Sequence, residues 1–288
     1  MNKSLLQSID PDKLYPSQTG NKIKLSLLIA HLVLLAWIFS SEFSWQFLLI
    51  AALPLWFFIA KMGMEIGYHR LWAHRAFTTS PIIEYILLFL GVVSSTGSCI
   101  TWVAAHRVHH THADTEQDPQ YGNNMPRWRI WLTFWNDNWR AGPKEVKDLL
   151  RDPKQRFFHR NYFKMLLAYV AVISAISVYF GSYYPIVTAW AIPVVMNFNL
   201  AGLLNANFHS DRPWFNYRNF DTPCRTVNSA VLNIFLAGAG LHNNHHAKQN
   251  SYTFNVLSRW YEPDLTGWFI RNFLARTVRL PNGEEVKA

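Results

Sequence analysis

His106-Arg107-Val108-His109-His110 decides how this chain folds. Wound as an α-helix, it puts the second and third histidines about 300° and 400° round the axis from the first. Three imidazoles then share one face within a turn, an arrangement that suits a metal ion. The pattern recurs as His242-Asn243-Asn244-His245-His246, and a related box, His69-Arg70-Leu71-Trp72-Ala73-His74, precedes both. Eight of the twelve histidines fall in these three boxes. One such cluster reads as a polar surface feature. Three, each among apolar stretches, read as a site.

Working outward, the boxes settle which apolar stretches cross a membrane. Residues 82–102 have the length of a span, but they lie between the first box and the second. Crossing would part the two boxes by about 30 Å, so this stretch is expected to lie in the interface or to dip and return. The same holds for 227–240, which leads into the third box. Four stretches remain as spans, at about 25–41, 45–66, 165–180 and 186–207. They pair into two hairpins, turned at Ser41-Glu42-Phe43-Ser44 and Gly181-Ser182-Tyr183-Tyr184-Pro185. Neither turn holds lysine or arginine, whereas the other loops and both termini are basic. The positive-inside rule then puts the termini and all three boxes on the cytoplasmic side.

Composition agrees. Half of the 288 residues are apolar and only 16% are charged, below the roughly 25% of soluble domains. The net charge of +9 fits basic cytoplasmic loops, and no nucleic-acid module is recognisable. Cys99 and Cys224 are the only cysteines, which excludes a disulfide framework and a four-cysteine iron–sulfur cluster within one chain. Residues 1–24 are polar with four lysines and no arginine and read as a cytoplasmic tail with a short surface helix. The apolar run after them reads as a retained anchor rather than a signal peptide. The membrane domain is expected over 25–270, with 251–288 packing on the cytoplasmic side and 271–288 as a tail. The predicted fold is thus an all-α membrane protein of four transmembrane helices under a cytoplasmic helical cap.

The chemistry follows from ligand type. Eight box histidines exceed the four places of one tetrahedral site, so two metals are the natural reading. His69 and His74 stand about 140° apart on a regular helix. Either that helix ends between them or they serve different metals. His209 is a ninth candidate, at the cytoplasmic end of the fourth span, and Asn205, one turn before it, can hold a metal or its water. Imidazole alone does not choose among iron, zinc and copper. Glu65 is read as a partner of Lys61, His31 as a satisfied core or interfacial group, His112 as off the ligand face and His159 as an exposed loop residue. Asp114, Glu116 and Asp118 read either as acceptors behind the imidazoles or as a solvated acidic loop.

Three boxes of the form H-x4-H, H-x2-H-H and H-x2-H-H on a four-span chain resemble the membrane fatty acid desaturases, and His69-Arg70-Leu71-Trp72-Ala73-His74 resembles the first box of the stearoyl-CoA-type Δ9 group. Trp102 also matches a family tryptophan. The resemblance covers roughly 45–270. It implies two irons held by His69, His74, His106, His109, His110, His209, His242, His245 and His246, with Asn205 at a water-linked position. It implies O2 as co-substrate and a cis double bond, at Δ9, put into a long saturated acyl chain carried by CoA or a lipid. No dinucleotide fingerprint or haem-binding fusion is present, so electrons must come from a separate ferredoxin or cytochrome b5-like donor. The family's usual Gly-Glu-Gly before the third box is here Gly238-Ala239-Gly240, and its Asp-x-Ser is altered around Pro223-Cys224-Arg225. Two rivals remain: a di-iron hydroxylase of alkyl chains, and a membrane metal-binding or transport protein. The latter is disfavoured because transport sites lie within spans near the midplane.

Overall fold

A computed structural model describes residues 17–119, 128, 131, 142–209 and 215–288. The basic residues Arg127, Arg129 and Arg140 lie outside the described residues. The chain forms two compact units: Met1–Tyr68, Tyr85–Ala104 and Arg140–Asn199 make the first, and His69–Glu84, Ala105–Trp139 and Leu200–Ala288 the second. In chain order the main helices are α1 (Ser17–Ile38), α2 (Trp45–Ala73), α3 (Pro81–Val93), α4 (Cys99–His112), α5 (Lys147–Arg151), α6 (Pro153–Phe180), α7 (Tyr184–Phe208), α8 (Ala230–Leu236), α9 (His242–Ala247) and α10 (Leu265–Phe269).

Among the described residues, α2, α6 and α7, of 29, 28 and 25 residues, are long and apolar enough to cross a membrane. They contain three of the four expected spans. The expected span at 25–41 lies mostly in α1, which is not among the three: its apolar run starts only after Lys24 and its helix ends at Ile38, about 21 Å later. The stretch 82–102 is broken into α3 and the start of α4. The 13 residues of α3 reach about 20 Å, too short for a crossing. The break falls in the polar patch 94–98, where Ser95 (φ 58°) and Gly97 (φ 94°) turn the chain left-handed.

Local sequence explains the ends of these helices. Ser44 caps α2, its Oγ accepting from the Phe47 amide at 3.2 Å. Asp152 caps α6 with Pro153 in the first turn, and Gly181 closes it at φ 58°, as helix starts and stops usually run. In the first unit, fully buried Trp37 meets Phe43, Phe47 and Tyr184 edge-on at 5.0–6.1 Å. The Glu42 carboxylate accepts from Ser182 Oγ at 2.6 Å and the Tyr183 amide at 2.9 Å, so the two turns without basic residues are tied together. Ser95 Oγ accepts from Trp190 Nε1 at 3.2 Å, and the Gly97 amide donates to the Tyr162 hydroxyl at 3.0 Å. Half-buried His31 bonds the Leu27 carbonyl at 2.7 Å within its own helix, as a satisfied core or interfacial group should. His159 departs from its reading as an exposed loop residue. It sits on α6 and bonds Ser98 Oγ at 2.7 Å, because the helix begins a dozen residues before the apolar run does.

The second unit departs from all-helical expectation at the C-terminus. Two short strands form there and pair antiparallel with a third from just after the first box, in the order β1 (Phe77–Thr79), β2 (Ala275–Arg279), β3 (Glu285–Lys287). Phe77 pairs with Val278 and Val278 with Val286. Asn282-Gly283, with Gly283 at φ 89°, turns the chain between β2 and β3, a composition that favours tight β-turns. Much of the stretch expected as a tail is therefore strand.

Candidate metal centre

Nine histidines meet in the second unit, delivered by four elements. His69 lies in the last turn of α2 and His74 just past its end; α4 gives His106, His109 and His110; His209 follows α7; α9 gives His242, His245 and His246. Their ring nitrogens sort into two sets, His69, His74, His106, His110 and His245 in one and His109, His209, His242 and His246 in the other. Within each set the nitrogens all lie within 4.8 Å of one another. Nε2 atoms approach closely: His69 to His245 at 3.0 Å, His74 to His106 at 2.8 Å, His110 to His245 at 2.9 Å, and His209 to His242 at 2.9 Å.

Helix geometry makes the split. In each H-x2-H-H box the residues four apart, His106 with His110 and His242 with His246, go to one set, and the histidine between goes to the other. Sequence neighbours point about 100° apart on a helix, so adjacent histidines diverge. The single shared face read from sequence is in fact two.

His69 and His74 come together by a different device. From Trp56 to Ala73, α2 is wound with each amide bonding the fifth residue back rather than the fourth. Positions i and i+5 are then one turn apart. The His74 amide donates to the His69 carbonyl at 3.0 Å, and the two rings stand 4.7 Å apart. The helix does end between them, at Ala73, but both rings belong to one set rather than to different metals. Pro54, which has no N–H to give, sits two residues before the winding changes. Arg107 donates to the carbonyls left over at the end of α2, Trp72 at 2.6 Å and Ala73 at 3.1 Å.

The donor set fits a metal. Burial, helped by neighbouring imidazoles, holds His106, His110, His245 and His246 well below the usual histidine range, and burial lowers His109 despite the carboxylate of Asp118. Neutral imidazole is the form that ligates. A set of nitrogens alone suits first-row transition ions and not calcium or magnesium. Nitrogens about 2.1 Å from one ion stand at most about 4.2 Å apart, so each set needs only a small contraction to close on an ion.

Of the three acidic residues after the second box, two lie behind imidazoles. Asp118 Oδ1 accepts from His109 Nδ1 at 2.8 Å, and Asp114 Oδ1 from His209 Nδ1 at 2.9 Å. Burial alone would raise the Asp114 carboxyl, but His209 and the Arg225 amide bring it down to about 2. Glu116 and His112 are exposed, and Glu65 is buried and belongs to neither set. Asn205 is half-buried on α7, four residues before His209.

Sequence reading missed what pins α9. Asn228 Oδ1 accepts from the amides of Asn243 (2.9 Å) and Asn244 (3.2 Å) at its start. Asn244 Nδ2 donates to Glu262 Oε2 at 3.0 Å and to the Phe254 carbonyl at 2.9 Å. The signal was the twin amide inside the box, since asparagine is a poor helix-interior residue unless its side chain has work elsewhere. The two altered stretches also find places. Ala239 packs with Phe208, Val227 and Leu236. Cys224 Sγ stands 3.6 Å from His246 Nδ1, and the Arg225 amide bonds Asp114 Oδ2 at 2.6 Å.

With the site in place, comparison with known proteins agrees with it. The fatty acid desaturase family model matches residues 43–262. The chain is 32% identical over 228 residues to an sn-1 stearoyl-lipid 9-desaturase of Anabaena variabilis, covering 78% of this chain and 80% of that one. It is 28% identical to an sn-1 stearoyl-lipid 9-desaturase of Synechocystis sp., with 87% and 77% covered, and 28% identical to an icosanoyl-CoA 5-desaturase of Limnanthes douglasii, with 83% and 67% covered. This chain belongs to the fatty acid desaturase family. It is an oxidoreductase, a desaturase of fatty acyl groups.

Proposed function

We propose that this desaturase puts a cis double bond at Δ9 of a long saturated acyl group carried on a membrane lipid, using two irons and O2. The observation that carries this reading is the sorting of nine imidazoles, seven of them buried, into two adjoining sets. The two cyanobacterial relatives support a lipid carrier and position nine; the Limnanthes relative, named for acyl-CoA and position five, keeps both points open to test. Two irons, when bound, supply the means of activating O2. The acyl chain loses two hydrogens, a separate ferredoxin or cytochrome b5-like protein supplies two electrons per turnover, two protons come from solvent, and O2 leaves as two waters.

The residues' own part is to hold and exclude. Five histidines and four histidines fix two ion positions. Asp118 and Asp114 fix the tautomer of His109 and His209, so that Nε2 faces the ion. Asn205 is assigned the water-linked position beside His209. The alkyl-chain hydroxylase reading differs only in product.

The proposed topology has four spans, at about 25–41, 45–66, 165–180 and 186–207, within a membrane domain of 25–270. The Glu42 contacts to Ser182 and Tyr183 support it, since turns that touch belong to one side of a bilayer. The termini, and the metal centre, are placed on the cytoplasmic side. Metal analysis tests the core of the proposal: active protein should hold two irons per chain, and active protein that holds only zinc would overturn it.

A further inference from the structure

Arg70 follows a candidate ligand directly, yet it is fully buried and none of the chemistry above uses it. Its guanidinium forms a two-pronged pair with Asp264, at 2.8 Å to Oδ2 and 3.1 Å to Oδ1. It also donates to the Tyr252 carbonyl at 2.7 Å. The guanidinium carbon lies 3.7 Å above the ring centroid of Phe254. That ring in turn lies 4.4 Å from the imidazole of His245 and 5.9 Å from that of His69. Asp264 closes the loop: its Oδ2 accepts from the Phe254 amide at 2.7 Å, and its Oδ1 from the Gly267 amide at 2.9 Å. A side chain at Gly238 or Gly267 would run into the Asp264 carboxylate, so the pair fills its space without slack.

Phe254 is therefore clamped at both its amide and its ring by one ion pair. Its ring is the wall against which two imidazoles of the five-histidine set rest. A buried charge pair of this kind is costly to desolvate and gains little net stability. Holding one aromatic ring in register is a use that would retain it. An arene offers no ligand atom and admits no water, so it limits that set to its nitrogens and to whatever enters from another side.

We propose that Arg70 and Asp264 are positioning residues that hold Phe254 as the dry wall of the five-histidine position, fixing His245 and His69 and keeping water off that ion. The proposal rests on the two-metal reading. The test separates the two by cobalt(II) titration of full-length, metal-stripped protein in detergent. Wild type should take up two cobalt ions; fewer would overturn the two-metal reading itself. A His242→Ala background should retain one ion, in the five-histidine set. There, Phe254→Ala, Phe254→Leu, Arg70→Lys and Asp264→Asn should each weaken that ion about 10- to 100-fold, the range for loss of groups that support ligands. The cobalt d–d absorption should also fall as water joins the ion. A merely structural role would lower the thermal midpoint of the metal-free protein and leave the spectrum of the bound ion unchanged. Phe254→Leu keeps the apolar volume and folds where the alanine variant does not. Unchanged affinity and spectrum in the leucine and lysine variants would overturn the proposal.

Discussion

Asp118 is the clearest case of a residue whose worth the sequence could only raise as a question. Asp114, Glu116 and Asp118 sit in an irregular turn, where no period says which side chain faces inward. The structure turns Asp114 left-handed, at φ 64°, and the Asp118 carboxylate accepts its amide at 2.9 Å. That turns both acids toward histidines and Glu116 toward solvent. Asp118→Asn should weaken one of the two bound ions about 10- to 100-fold while the other binds as before, read by metal titration. Glu116→Ala and His112→Ala should retain both ions and full activity. Single alanine replacement of any of the eight box histidines should abolish activity without preventing membrane insertion, read by product assay and membrane fractionation. The eight were legible because repetition of a box is visible in one dimension. Asn228, Glu262 and Asp264 were not, because they stand outside the boxes and follow no spacing, and Arg70, though inside the first box, shows its part only through its pairing with Asp264.

Among the elements, α2 shows how a misfit in sequence can itself be a signal. Five residues from His69 to His74 clash with α-helical winding, and the clash is resolved by changing the winding. Moving the second histidine back by one, with Ala73→His and His74→Ala together, restores α-helical spacing. In the wider winding it turns the imidazole off the set. The double variant should therefore lose the ion of the five-histidine set; retention of two ions would mean that the end of α2 is ordinary α-helix when loaded. The same helix carries Gly63, where an added Cβ would collide with the backbone of Leu90 and Gly91 on α3. Backbone cannot step aside as a flexible side chain can, so Gly63→Ala should cost about 1–3 kcal/mol, seen as a lowered thermal midpoint in detergent. Sequence patterning located α2, α6 and α7, whose apolar runs are long. It overlooked the strands, since β1 and β3 have three residues each, too few to show alternation.

For the whole molecule, the charge pattern and the histidine boxes gave the same topology by separate routes, and it can be tested directly. Cysteine placed at Ser44 or Ser182 should label from outside the cell, and cysteine at Lys248 should not. The product is the harder matter. Methylenes along a saturated chain are chemically almost alike, so only geometry can choose among them: the enzyme must hold one end of the substrate and measure carbons to the metal centre. Relatives of similar identity are named for position nine on a lipid and position five on CoA, so overall likeness does not fix the register. Ala239 and residues 223–225, where the chain departs from the family's usual wording, lie beside the four-histidine set through Phe208, His246 and Asp114. They are where a shifted register would arise. The first box, which resembles the Δ9 group, argues the other way, since it shapes the five-histidine set. The expected product in a desaturase-deficient host is a cis-9 monounsaturated C16 or C18 chain, with the double bond located by mass spectrometry of the host lipids. Separating lipid-bound from CoA-bound acyl groups early after induction should show the new bond first in the lipid pool. A bond at another carbon would preserve the enzyme class and reject the register, and a hydroxylated chain as the main product would favour the hydroxylase.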